Sequence, residues 1–181
     1  WASGWSGRCR FCPPTPPAPP VNGLRAYYPL DGNATDESWY NWNDQETNGI
    51  ITTEYKYSGE KAACRQIEGI GQGCYGQQIP VNPGETVKAS AWVMSPDSKA
   101  LSNGAEAFVR LEFWGSAGPL SSGHKESEHV KAAIPWKRLE VNGKAPAGAI
   151  EARVLGYARG IAGSTGEACF DDFDVTIEKG N

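Results

Sequence analysis

The stretch GCYGQQIPVNPGETVKASAWVM, residues 73–94, limits what the chain can become more than any other. Tyr75, Gln77, Ile79 and Val81 fall on one face of an extended segment, and Val87, Ala89, Ala91 and Val93 on one face of the next. Lys88, Ser90 and Trp92 point the other way. An apolar period of two marks a half-buried β-strand, because successive side chains leave a pleated backbone on opposite sides. Asn82-Pro83-Gly84-Glu85 supplies the turn between them. Pro83 pre-sets φ at the first central position and Gly84 accepts a positive φ at the second. The stretch reads as a hairpin with one apolar face and one polar, aromatic face.

The same alternation recurs along the chain. Ala107, Val109, Leu111 and Phe113 oppose Phe108, Arg110, Glu112 and Trp114, and Ala152 and Val154 oppose Arg153, Leu155 and Tyr157. No sustained stripe of period 3.6 competes with it, and 22 Gly and 13 Pro punctuate the runs. The expectation is an all-β jelly-roll sandwich of about ten strands. The first strands are expected at 24–30, 50–57 and 61–67, and the last at 167–177. Residues 36–49 read as a polar loop carrying Trp39, Tyr40 and Trp42. Residues 1–22 stand apart from the domain at 23–181. They hold Trp1, Trp5, Phe11 and the run PPTPPAPP, which favours an extended polyproline II tail or linker.

Several function classes are disfavoured. Seventeen Lys and Arg against 21 Asp and Glu give a net charge of −4, which argues against a nucleic-acid partner. No apolar run approaches the roughly 18–20 residues of a membrane span. There is no GxSxG, HExxH or P-loop, and His124 and His129 sit in a polar segment that reads as solvated surface, so no catalytic residue and no enzyme is expected. Five Cys with two His make a weak zinc set. Cys9 and Cys12 form a CxxC in the tail, while Cys64, Cys74 and Cys169 lie on expected strands. Disulfides are the expectation, and with them an extracellular or cell-surface protein. Either Cys64 or Cys74 is suited to bridge to Cys169 if the C-terminal strand lies beside it; the choice between them stays open.

Five segments, in order, carry a resemblance: YSGEKAACRQIEG at 57–69, GQQIPVNPGETVKASAWV at 76–93, EAFVRLEFWGSAG at 106–118, WKRLEVNGKAPAGAIEARV at 136–154 and EACFDDFDVTI at 167–177. From about residue 54 onward the chain resembles the carbohydrate-binding modules of the family 4/9/22 type, which have a galactose-binding-like jelly roll. The opening departs from that pattern, with YYPLDGNATD at 27–36. The resemblance implies a non-catalytic sandwich with a structural calcium ion and, in some members, a sugar-binding cleft. Carried over, the calcium ligands would be Asp31, the backbone region of Glu60 and Lys61, and Asp171, with Asp172 as an alternate. The residues agree in part. Asp171, Asp172 and Asp174 crowd negative charge into a strand, where Asp is disfavoured, and a cation taking six to eight oxygens would relieve it.

The outward-pointing residues suggest the ligand. Sugars present apolar C–H faces, which aromatic rings stack on, and hydroxyls, which charged groups hydrogen-bond. Trp92, Trp114, Arg110, Glu112 and Arg153 are the expected contacts to a polysaccharide or glycan, with Trp39 and Trp42 as candidates for a loop-borne site. The alternative is a self-assembling structural subunit of an extracellular filament or sheath. Its tail, residues 1–22, would dock on a neighbouring copy, and Cys9 or Cys12 would lock subunits together.

Overall fold

A strand with one apolar face must lay that face against another sheet, and in the computed structural model this pairs two layers of antiparallel strands. The structure describes residues 49–59, 61–120, 122 and 124–179 in full, with the backbone alone at 24–30, 40–43 and 47–48. The strands are β1 (Leu24–Leu30), β2 (Tyr40–Asn43), β3 (Thr47–Thr52), β4 (Ala62–Glu68), β5 (Gly71–Pro80) and β6 (Thr86–Ser95). There follow β7 (Glu106–Gly115), β8 (Gly118–Pro119), β9 (Lys125–Glu126), β10 (Ile134–Lys144), β11 (Glu151–Gly160) and β12 (Thr165–Glu178). One 3-10 turn at Asp97–Lys99 lies between β6 and β7. Sheet A has the order β10-β6-β12-β4-β3, with β1 beside the second half of β12. Sheet B has the order β2-β5-β11-β7-β8, with β9 also on the β7 edge. The expected jelly-roll sandwich is the observed fold.

The alternating residues fill the space between the sheets. Val87, Ala91, Val93, Leu139, Phe170 and Ile177 come from sheet A, and Val109, Leu111, Phe113, Ala152 and Val154 from sheet B; all are buried in one cluster. Burying each of the larger side chains contributes about 1.5–3 kcal/mol. Gly156 makes room where the sheets approach, because a Cβ there would stand 2.6 Å from the Phe170 ring.

Residues 73–94 are not a hairpin. β5 pairs with β2 and β11, whereas β6 pairs with β10 and β12. The turn between them carries the chain across the core from sheet B to sheet A. Its local chemistry is the expected one: Gly84 has φ +86°. The buried Glu85 carboxylate accepts the Asn82 backbone N–H at 2.7 Å and its side-chain amide at 3.1 Å. Two strands facing each other across a core show the same alternation as two hydrogen-bonded neighbours, so the pattern does not separate the two arrangements. The expected loop at 36–49 likewise contains β2 and the start of β3. β2 reads YNWN, and β3 starts at Thr47 and ends at Thr52, short of the expected 50–57. Neither shows the alternation that would have revealed it.

Cys64 and Cys169 sit directly opposite each other on β4 and β12 and are disulfide-bonded, which closes the choice the spacing left open. Cys74 lies buried on β5 in the other sheet. Cys9, Cys12 and the rest of the tail at 1–22 lie outside the described residues, as does the docking role expected of them. One buried residue breaks the pattern. Arg65, on the inner face of β4, is fully buried, and its guanidinium carbon lies 4.3 Å from the centre of the Tyr75 ring on β5. Its Nη2 donates to the Cys74 carbonyl oxygen, so one side chain ties sheet A to sheet B. Burial pulls its pKa below the usual arginine value.

The disulfide closes a loop of 105 residues in sequence separation. Replacing both cysteines, as in C64S/C169S, is expected to lower unfolding stability by about 2–5 kcal/mol. Guanidinium unfolding of the oxidised protein and the variant would show it as a lower midpoint, and equal midpoints would contradict it.

Candidate functional site

The outer face of sheet B carries a connected set of aromatic and charged side chains. Antiparallel register places Glu112 opposite Arg153, Arg110 opposite Leu155, and Phe108 opposite Tyr157. On the other edge of β7, Arg110 pairs with Glu126. Alternation on β7 and β11 therefore brings Arg110, Glu112, Trp114 and Arg153 to one surface, four of the five contacts expected for a glycan.

Their contacts form a chain. The Arg153 guanidinium carbon lies 3.5 Å from the centre of the Trp114 ring, and Arg153 Nε donates to Glu151 Oε1 at 2.7 Å. Trp114 Nε1 donates to Glu112 Oε2 at 3.1 Å. Arg110 reaches Glu112 Oε1 at 3.5 Å and grips Glu126 Oε1 through Nε at 3.0 Å and Nη2 at 2.6 Å. The Arg110 guanidinium also covers the Tyr157 ring at 4.0 Å. Burial pushes the Tyr157 hydroxyl up to about 12, and that hydroxyl donates to Gln72 Oε1 at 2.6 Å. Below the charged layer, Cys74, Phe108, Leu155 and Tyr157 form a small apolar cluster of their own on the outer face.

The array continues through residues that the sequence placed elsewhere. His129 is not a solvated surface residue. Its ring stacks on Phe108 at 4.3 Å between centroids, with Nδ1 2.9 Å from Glu106 Oε2 and Nε2 3.1 Å from Glu126 Oε2. Arg159 Nε donates to Glu106 Oε1 at 2.5 Å. The pairing of β9 with β7 alone brings Glu126 here. A basic residue flanked by acids of distant sequence position has no local signature. His124 is exposed, as expected.

Trp92 stands apart from the other four. It lies on the outer face of sheet A, where the Tyr57 ring stacks on it at 3.9 Å. Trp42 is on β2, in register opposite Cys74, and Trp39 lies outside the described residues.

Where they are described, the residues expected to bind calcium make contacts within the chain. Asp171 is buried at the β-bulge of β12, and Asp172 has φ +42°. Asp171 Oδ2 accepts the backbone N–H groups of Tyr57 and Ser58 at 2.7 and 3.2 Å, and Oδ1 accepts that of Asp172 at 2.8 Å. Asp172 Oδ1 accepts the Ser58 hydroxyl at 2.6 Å. Burial pushes the Asp171 carboxyl up, against the pull of those three donors. Lys61 stands just before β4, and Asp31 and Glu60 lie outside the described residues. Among the described residues, one group of three metal-capable side chains converges, Cys64, Glu167 and Cys169, and its two sulfurs are already joined in the disulfide.

No protein-family model matches the chain, and no curated protein matches it. Solved structures do. The CBM22-1 xylan-binding domain of Paenibacillus barcinonensis Xyn10C superposes with a TM-score of 0.56 at 14% identity, covering 91% of this chain and 100% of that one. The TmCBM61 module, solved with β-1,4-galactotriose, gives a TM-score of 0.50 at 15% identity, over 77% of this chain and 88% of that one. The enzymatically active domain of bacteriophage CBA120 tailspike protein 4 gives 0.51 at 11% identity over 78% of this chain, which spans 19% of that domain's length. The shared property is the fold, that of the β-sandwich carbohydrate-binding modules. Among the described residues no helix is long and apolar enough to cross a membrane.

The ion network carries a pH dependence. Burial works to raise the Glu106 carboxyl, but hydrogen bonds from His129 and Arg159 outweigh it and hold it at about 2, below its ordinary 4.5. A folded-state value below the unfolded one means the contribution to stability is complete above about pH 4.5 and is lost as pH falls towards 2. Glu106→Gln is expected to flatten the acid limb of stability by on the order of 1–2 kcal/mol, less than the full shift because Arg159 and Lys131 are partly solvated. Urea unfolding of both proteins at pH 6 and pH 2.5 measures it, and parallel pH profiles would contradict it.

Proposed function

We propose that the chain is a non-catalytic, extracellular glycan-binding module that holds a saccharide across the outer face of sheet B. The observation that carries this reading is the array Arg153–Trp114–Glu112–Arg110–Glu126, half-buried on one face and held by its own hydrogen bonds. Side chains locked by neighbours lose little entropy when a ligand arrives, which is what a binding surface needs. The indole of Trp114 suits the C–H face of a pyranose, and the carboxylates and guanidiniums beside it suit its hydroxyls. The fold supports the same reading, because the superposed structures include a xylan-binding domain and a module in complex with a galactotriose. The Cys64–Cys169 disulfide supports an oxidising, extracellular setting.

On sheet B the electrostatics favour binding over hydrolysis. A glycosidase needs a carboxyl held protonated, with its pKa raised, to donate to the leaving oxygen. Burial works to raise Glu126, but the hydrogen bond from Arg110 outweighs it and holds this carboxylate low; Glu106 is held at about 2. These two carboxylates are tuned against acid catalysis.

Titration calorimetry with xylo-, cello- and β-1,4-galacto-oligosaccharides tests the site. Trp114→Ala and Arg110→Ala, each checked for fold by circular dichroism, are expected to weaken binding about tenfold or more, equivalent to about 1.4 kcal/mol. Unchanged affinity in both variants would place the ligand elsewhere.

A further inference from the structure

The outer face of sheet A has its own platform and its own groove. The loop before β4 sets Tyr57 on that surface with 43% of its area exposed. Its ring stacks on Trp92 at 3.9 Å and 14°, and meets Trp136 edge-on at 6.0 Å. Asp171 holds the Tyr57 and Ser58 backbone from below, and Asp172 holds the Ser58 hydroxyl, so the ring is fixed rather than carried on a loose loop. An aromatic ring as exposed as Tyr57 adds little to the core; sheet A already has its apolar face buried against sheet B.

Beside the platform runs a groove of about 240 Å³ lined by Lys88, Ser90, Arg138, Glu140, Asp174 and Thr176. Register fixes the distance between the two. Arg138, Trp92 and Asp171 form one row across β10, β6 and β12, and Glu140, Ser90 and Asp174 form the row two residues along, about 7 Å away. That is within the reach of one sugar ring. The charges are balanced locally: Lys88 pairs with Glu178 at 2.6 Å, and Arg138 with Glu140. A groove of neutralised pairs, hydroxyls and carboxylates complements a neutral polyol better than an ion. An exposed aromatic face next to convergent polar groups is the composition of a small-ligand site.

We infer that the outer face of sheet A is a second saccharide-binding surface, with Tyr57 stacked against a sugar ring whose hydroxyls reach Asp174 and Arg138. It shares a ligand class with the sheet B reading but no residue. A module built this way engages two glycan chains back to back and bridges them.

The full disulfide-bonded chain, titrated with the same oligosaccharide panel, gives the test. Two sites per chain are expected. In Trp114→Ala the residual binding should fall about tenfold on adding Tyr57→Ala or Arg138→Ala, and should be kept with Tyr57→Phe, which preserves the ring. Arg138 is exposed on an edge strand, so its variant reports even where Tyr57→Ala disturbs packing on Trp92. One site, abolished by Trp114→Ala and indifferent to Tyr57 and Arg138, would overturn this inference and leave the sheet B reading standing. One site, abolished by Tyr57→Ala and indifferent to Trp114 and Arg110, would support it and overturn the other. Wild-type protein that binds none of the panel would overturn both.

Discussion

Strand β12 is the interaction on which sheet A depends. Its first half pairs with β4 and its second half with β1 along one edge, while β6 runs along the other. The register shift between Asp171 and Asp174 separates the two halves, so the strand changes partner and direction at one point. That bulge also frees Asp171 to gather the backbone of Tyr57 and Ser58. Two members of the acidic cluster hold the neighbouring loop: Asp171 closes a turn, Asp172 pins a serine, and both set an aromatic ring on the surface. Sheet B in turn relies on sheet A, because its apolar face has nowhere else to be buried.

Much of this was legible in the residues. Alternation on β6, β7 and β11 assigned inward and outward side chains correctly, and so brought Arg110, Glu112, Trp114 and Arg153 to one surface. The type of turn at Pro83-Gly84 followed from local chemistry alone. What alternation could not supply was partnership. β5 and β6 looked like neighbours and lie in different sheets. Trp92 and Trp114 looked like one binding face and lie on opposite outer surfaces. Both errors have one cause: the period of two records which side of a strand is buried but says nothing about which sheet the strand joins.

Long-range charge was hidden for a related reason. His129 contacts Glu106 and Glu126, and Arg65 reaches Tyr75 and the Cys74 carbonyl. Each meeting requires strands or loops whose adjacency emerges only on folding. An arginine between Ala63 and Ile67 on the inner face of β4 gave no sign that it would cross the core. The two outer faces differ accordingly. On sheet B, ion pairs are layered over buried rings into a half-buried, rigid plate. On sheet A, the aromatic pair and the groove are more open, and their order comes from the β12 bulge beneath them.

The Cys64–Cys169 bond matters in another respect when the molecule is pulled. Force applied along a chain unravels strands until it meets a covalent stop. Here the stop encloses 105 residues of sequence separation, including all of β5 to β11. About 350 Å of extensible chain is thereby withheld from the applied load. The flanking segments can be drawn out and spent as slack, while the strands carrying Arg110, Glu112, Trp114 and Arg153 remain inside a closed covalent ring.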